Sequence, residues 1–599
     1  MDHNITPFLR LASAMNIPLT IQEPVPVTIE HLASALCCTP RNVKFILRKL
    51  EEKAFISWQA GRGRGHTSRI TFLRSIEDVL EDYLQELVSM GKIKQSIDLI
   101  GRPEVNPVLR ERLLTLLNKQ MGYHSEQEST TGLDVLRITR NRSFEQLDPA
   151  FVYTAFESYL LGQICSTLII YDTESGSFVP GLAHMWEVNE EHTSYLFYLR
   201  KGVRFHHGRV MTSRDVKETL QRLTDLQSPA LWHFRDVIRV ETEGDHRVRF
   251  DLNRPNLFFL HVLSSVYMSI LPFDKEFAVE PLGTGPYRLL NMNKDVLVLA
   301  AFDDYYSIRP LLDRVEIWSL PDQGSAMRQY QLPAEDNLSA LAGERDDNRI
   351  DYPALGCRYI MVNFSRKGYQ HNDLFRQVMH ILFDPVALVE ELGGSRMTPA
   401  DSFLPWISHS RSWTRRPLEQ AKTLLQAIGY RGEEVTLAYM PKKEEHEEAA
   451  WLQDRGRLIG LQLRLIPYQD SSIEEIKREA DFLFAEEVLE DDWQWGMVNY
   501  FVNKSNYLHS MLQDQQLSRL DHELENFTQL QEAERNRLLE QTEDILRGNY
   551  WILYGCHINK RAQLNNSLFG LHTAAFGFLD ISRLWIKTGF KQSCQDNSN

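Results

Sequence analysis

Apolar residues near the N-terminus recur at helical spacing. Ile5, Phe8, Leu9, Ala12 and Met15 share one face and predict a helix over 5–16. Pro18, Pro24 and Pro26 break that pattern. Thr28 then caps a helix running to Leu36, with Ile29, Leu32, Ala33 and Leu36 turned inward. Thr39-Pro40 opens the next helix, an N-cap followed by proline in the first turn, where its missing N–H costs nothing. Val43, Ile46, Leu47 and Leu50 form its buried stripe, so Arg41, Asn42, Lys44, Phe45, Arg48 and Lys49 point outward. The period then changes to two. Phe55 to Gln59 and Thr67 to Phe72 read as strands, joined through Gly61-Arg62-Gly63-Arg64-Gly65-His66. Two short helices with a tight break, then a hairpin with a basic tip, predict a winged helix-turn-helix over 1–75.

Helical spacing returns over 76–121. Ile76, Val79, Leu80, Tyr83, Leu84 and Leu87 line one face, and Leu109, Leu113, Leu116 and Leu117 follow Pro107. This predicts a helical connector, closed by a polar linker, so that 76–132 joins two larger parts. From Leu133 strands and helices alternate. Asp134 to Ile138 reads as an opening strand, and Leu196-Phe197-Tyr198-Leu199 alternates. Val203-Arg204-Phe205 is a second short strand, and Thr212 starts a helix carrying Val216, Thr219, Leu220 and Leu223 at helical spacing. The expected architecture is an α/β multidomain chain.

Composition changes the picture in three ways. Hydrophobic residues are 43% and charged residues 25%, the balance of a globular protein with room in 599 residues for several cores. The six cysteines show no C-x-x-C spacing, so neither a disulfide framework nor a zinc site is expected. No run of 18 apolar residues predicts a membrane span, and Arg10 interrupts what would be a signal peptide, so a cytoplasmic location is expected. Charge is also uneven. Residues 1–75 carry 10 Lys and Arg against 5 Asp and Glu, whereas the remainder carries 56 against 76. A basic head on an acidic body implies that only the head meets a polyanion.

Several strings of the body resemble the family 5 extracytoplasmic solute-binding proteins. They are LRKGVRFHHG over 199–208 with Thr212 to Val216 behind it, Leu147-Asp148-Pro149-Ala150, and Gly283-Thr284-Gly285-Pro286-Tyr287. His207 stands where that family usually has Asp. The head, through Pro26 to Leu50 and WQAGRGRGHTSRITF over 58–72, resembles SgrR-type transcriptional regulators, which join a winged helix-turn-helix to such a body. The resemblance implies a two-lobed periplasmic-binding-protein-like (type II) domain over 133–599. One lobe is expected over 133–320 and 486–599, the other over 321–485, with hinges near 317–322 and 485–490.

Function follows as an expectation. Double-stranded DNA is the expected partner of the head: Arg41, Asn42, Lys44 and Arg48 on the recognition helix, and Arg62, Arg64 and His66 on the wing. The G-x-G-x-G run joins two strands, not a strand to a helix, which argues against a dinucleotide site. A small-molecule solute is expected between the lobes, held by Arg142 and Ser143, beside Arg140 and Asn141, and by Asp492, Trp493, Trp495 and Asn499, beside Asp491. The two tryptophans could equally be core. The family's amine-holding D-Y-x-D-P is not reproduced here, so sugar, sugar phosphate and peptide all stay open. No catalytic constellation, metal spacing or cofactor motif is seen, and no enzyme is expected. A homodimer through 76–121 on two half-sites is expected. The competing reading is a binding protein that serves a transporter or a protein partner.

Overall fold

The computed structural model of the chain describes residues 5–15, 23–61, 67–90, 92–102, 105–120, 122–125, 133–140, 144, 147–152, 154–319, 349–468, 473–563, 568–570, 572, 576 and 578–586. They form two compact units, one built chiefly from residues up to 124 and one from most of the rest.

The first unit runs α1 (Ile5–Ala14), β1 (Val25–Val27), α2 (Ile29–Ala35), α3 (Pro40–Glu52), β2 (Ile56–Gln59), β3 (Ser68–Phe72), α4 (Ile76–Ser89), α5 (Ile93–Ile100) and α6 (Pro107–Gln120). Thr28 caps α2 by accepting the His31 amide at 3.2 Å, and Ser75 caps α4 by accepting the Asp78 amide at 3.0 Å. The antiparallel sheet has the order β1-β3-β2, with Val25 opposite Ile70 and Ile56 opposite Phe72. Strand β1 lies where the prolines suggested only a break. Pro26 is tolerated because β1 is an edge strand, where a missing N–H removes no interior ladder bond.

One core holds this unit together. Phe8, Leu32, Val43, Leu47, Leu50, Ile56 and Ile70 from the head are buried with Val79, Leu80, Leu84, Leu113 and Leu117 from α4 and α6. The Phe8 ring meets Phe55 at 5.2 Å and Phe72 at 5.8 Å. Arg102, after α5, donates to the Thr6 hydroxyl at 3.1 Å. Helices α4 and α6 therefore pack into the head's own core.

In the second unit, the strands Val237–Glu243, Arg247–Leu252, Ser194–Leu199 and Ala183–Val188 make a four-stranded antiparallel sheet in that order. Helix Ser213–Asp225 packs against it, started by a capping box of Thr212 and Asp215. Buried Asp215 also accepts two bonds from Arg209, at 3.1 and 2.5 Å, and the Phe273 amide at 3.1 Å. The neighbouring turn meets the GTGPY string: His206 gives its amide to the Gly283 carbonyl at 3.0 Å, and its ring lies 3.1 Å from the Gly285 carbonyl. Gly283 must lack a side chain there, since a Cβ would fall 2.1 Å from the Ile164 carbonyl oxygen. His207, in place of the usual Asp, lies 3.9 Å from Asp274.

A larger sheet takes the strands Arg349–Pro353, Ile552–Gln563, Gly356–Val362, Phe482–Val488, Val435–Tyr439 and Leu463–Pro467 in that order, with Arg396–Pro399 also paired to Ile552–Gln563. This corrects the expected partition of the lobes. The chain does not leave the second lobe at 485–490, because Phe482–Val488 lies inside the sheet and Ile552–Gln563 returns to the same sheet. Strand Gly356–Val362 is buried along its whole length, so it needs partners on both sides and cover on both faces. The return to the first lobe comes later. Tyr159 donates to the Leu579 carbonyl at 2.8 Å, Tyr287 to the Ile581 carbonyl at 3.1 Å, and Phe578 stacks on Tyr159 at 4.8 Å.

Candidate functional site

Helix α3 presents the candidate DNA face. Proline in its first turn fixes its start, and Val43, Leu47 and Leu50 anchor it to the core. Arg41, Asn42, Lys44, Phe45 and Arg48 are exposed. The acids Glu51 and Glu52 fall in its last turn, so the first three turns are purely basic. Arg48 pairs with Glu52 at 3.0 Å, but both side chains are well exposed, and such a pair is easily exchanged for a phosphate. Glu51 accepts the Trp58 amide at 3.0 Å and so ties the helix end to the hairpin behind it. The Gly61 amide bonds the Ser68 hydroxyl at 3.1 Å and closes the base of the hairpin. Arg62, Arg64 and His66 lie outside the described residues.

In the body, Asn141, Arg142 and Ser143 also lie outside the described residues. Of the other expected ligand residues, the structure corrects two. Asp492 is a helix cap: it accepts the Trp495 amide at 3.2 Å, and its other oxygen lies 2.6 Å from His261 Nδ1. Trp495 is 1% exposed, meets the tilted His233 ring at a centroid distance of 4.4 Å, and donates its indole N–H to Glu490 at 3.1 Å. Both are committed to the fold. Asp and Trp are readily drawn as ligand groups from sequence, but a capping position and an all-apolar helix face are used internally first.

Trp493 and Asn499 keep part of their surface accessible. The Trp493 ring meets Trp406 edge-on at 5.6 Å, and Trp406 is 47% exposed. Asn499 Oδ1 lies 3.2 Å from His233 Nε2. Burial lowers the His233 pKa to about 3, so the ring is neutral at pH 7.

Three acids stand beside them: Glu487, Glu490 and Asp491, at the carboxyl end of strand Phe482–Val488. All three keep part of their surface accessible. Burial raises Glu487 to about 8, with Glu486 adding repulsion. Burial also raises Glu490 to about 8 against the bond from Trp495, and Asp491 to about 6. Gly356 lets the neighbouring strand close on this point, because a Cβ would fall 2.0 Å from the Glu487 carbonyl oxygen. Sequence reasoning passed over Glu487 and Glu490. Their signal was an acidic run where a sheet strand ends, the edge at which open α/β sheets bind ligands.

Among the described residues no group of three or more His, Cys, Asp and Glu is placed to hold a metal ion, and no helix is long and apolar enough to cross a membrane.

Two family models match. Residues 177–512 match the bacterial extracellular solute-binding proteins, family 5 middle region, and residues 5–128 match the N-terminal region of the sugar transport-related sRNA regulators. The uncharacterized protein YhjP of Bacillus subtilis is 30% identical over 494 residues, 82% of this chain and 83% of that one. The HTH-type transcriptional regulator SgrR of Yersinia enterocolitica is 26% identical over 587 residues, 94% of this chain and 95% of the regulator. Among solved structures, a dipeptide-binding protein of Pseudoalteromonas in complex with Met-Leu superposes with a TM-score of 0.65 at 18% identity, covering 76% of this chain and all of that one. NikZ of Campylobacter jejuni in complex with Ni(L-His) gives 0.64 at 19%, covering 75% of this chain and 99% of that one.

Proposed function

The chain belongs to the family 5 bacterial solute-binding proteins and opens on an SgrR-type N-terminal region, and on that premise we propose that it is a DNA-binding transcriptional regulator whose body senses a small solute. The observation that carries this reading is the outward face of α3: Arg41, Asn42, Lys44 and Arg48 exposed together, with a hairpin wing behind them. A regulator aligned over 94% of the chain supports it, because head and body then work as one inherited arrangement. Work in the cytoplasm, where the operator is, follows from the reading. Arg41 and Asn42, at the start of the helix, reach base edges, while Lys44, Arg48 and the wing arginines neutralise phosphates.

The solute is a sugar, a sugar phosphate or a peptide. Glu487, Glu490 and Asp491 offer carboxyls that bond hydroxyl and ammonium groups in either protonation state and, where protonated, can donate to a phosphate oxygen. Trp493 and Trp406 supply an apolar surface for the ligand's body. These residues act without a metal or cofactor in this reading, and the chain binds without transforming its ligand.

The test is capture of genomic DNA fragments by the full-length protein, followed by sequencing. Enrichment of a defined site near transport or metabolic genes is expected. Arg41→Ala should then cost about 1–3 kcal/mol at one base pair and relax specificity there. Recovery of no duplex above a neutral control protein at low salt would end the DNA reading and leave the transporter-serving binding protein in its place. Light scattering on the captured site should show two copies per site, as a two-half-site operator requires.

A further inference from the structure

The face of α3 carries one residue that charge does not explain. Phe45 is 57% exposed in the middle of the basic helix. Of the other phenylalanines of the same unit, Phe8 contacts both Phe55 and Phe72. Single exposed aliphatic side chains are ordinary on any surface. An aromatic ring among Arg41, Asn42, Lys44 and Arg48 is different, because it sits where the helix would enter a groove. Its position is set by spacing: Phe45 is one turn beyond Arg41 and Asn42 and one turn before Arg48 and Lys49, so these side chains share a face. The ring is also held. The Lys49 ammonium lies 4.7 Å from its centroid, a cation–π contact that fixes the ring without covering its outer edge.

We infer that Phe45 is a specificity-determining residue of the DNA site, reading the 5-methyl group of a thymine in the major groove. The inference rests on the DNA-binding reading above and adds to it the kind of base recognised. The major groove displays mostly hydrogen-bonding groups, and the thymine methyl is the apolar group among them. A phenylalanine offers nothing to a phosphate and no hydrogen bond to a base edge, so on a DNA-facing helix its use is contact with that methyl. The cations around it favour DNA over a protein partner as the occupant of this face, since their charge would have to be matched group by group in a protein interface and is matched uniformly by a duplex. Lys49 serves both roles, holding the ring and facing the backbone.

The experiment uses the full-length protein. Bound duplexes are first selected from a random pool, and each thymine of the selected site is then replaced singly by deoxyuridine, which removes the methyl and keeps the base pairing. For the native protein one replacement per half-site should weaken binding about fourfold, the factor equivalent to one buried methyl group. Phe45→Ala should bind the thymine and deoxyuridine duplexes equally, and Phe45→Leu should restore part of the difference. Affinity for unrelated duplexes at low salt should be the same for all three proteins, which also controls for folding. Deoxyuridine without effect at every position would overturn the inference, as would a penalty that persists undiminished in Phe45→Ala. If no duplex were selected at all, the DNA reading itself would fail and the inference with it, an outcome distinct from binding that ignores the methyl.

Discussion

At the scale of the residue, burial decides which side chains remain free for chemistry. Asp492 and Trp495 are spent on a helix cap and a core contact, while Glu487, Glu490 and Asp491, a few positions away, keep accessible surface. Their titration gives a prediction with a definite sign. Glu490 is raised in the folded state to about 8 from an ordinary 4.5, so the folded chain binds more protons than the unfolded chain between those values. Its stabilising proton is fully held below about pH 4.5 and is lost as pH rises through about 8. Glu490→Gln keeps a neutral group at the position and removes this loss. Its Tm should therefore match the native protein near pH 5 and exceed it near pH 8.5. Equal Tm values at both would mean that Glu490 is not held neutral.

At the scale of the element, the helices behind the wing matter most. Val79, Leu80, Leu84, Leu113 and Leu117 are buried in the same core as the helix-turn-helix, each contributing about 1.5–3 kcal/mol of burial. A fragment ending at residue 75 removes all of them and leaves their partners, Phe8 among them, in water. A fragment of residues 1–124 should unfold in one cooperative thermal transition, and a fragment of residues 1–75 should show none while binding a hydrophobic dye. Cooperative unfolding of the shorter fragment would show that α4 to α6 merely decorate the head. Charged-to-apolar spacing identified these helices from sequence. What they pack against was not in the spacing, because an apolar stripe states that a face is covered and not by what.

At the scale of the whole molecule, the prediction concerns linkage. A solute that binds the folded body raises its Tm by mass action, and at a hundred times its dissociation constant the gain is about 2.7 kcal/mol. If the same solute acts on the operator complex, the coupling is expected at about 1–3 kcal/mol, some 5–150-fold in DNA affinity. Thermal shift against sugars, peptides and sugar phosphates identifies it. Operator affinity measured with and without the hit then decides between sensor and accessory. A ligand that stabilises the chain and leaves operator affinity unchanged would favour a binding protein serving another partner.

The order of the elements and the family were legible along the chain. Helical and alternating periods separate α1 to α3 from the hairpin, and glycines such as Gly283 mark places where the backbone closes against Ile164 and admits no side chain. These are local constraints, set within a turn or two. The edge strand at Val25–Val27 was hidden by its prolines, which are permitted there only because β3 supplies the pairing from another part of the sequence. The lobe boundary was misplaced because strand Ile552–Gln563 returns to its sheet after four intervening helices, and no local pattern announces such a partner. The use of the polar groups was decided in the same way: Asp492 meets His261, and Asn499 meets His233, from parts of the chain far apart in sequence, and no local pattern announces such partners.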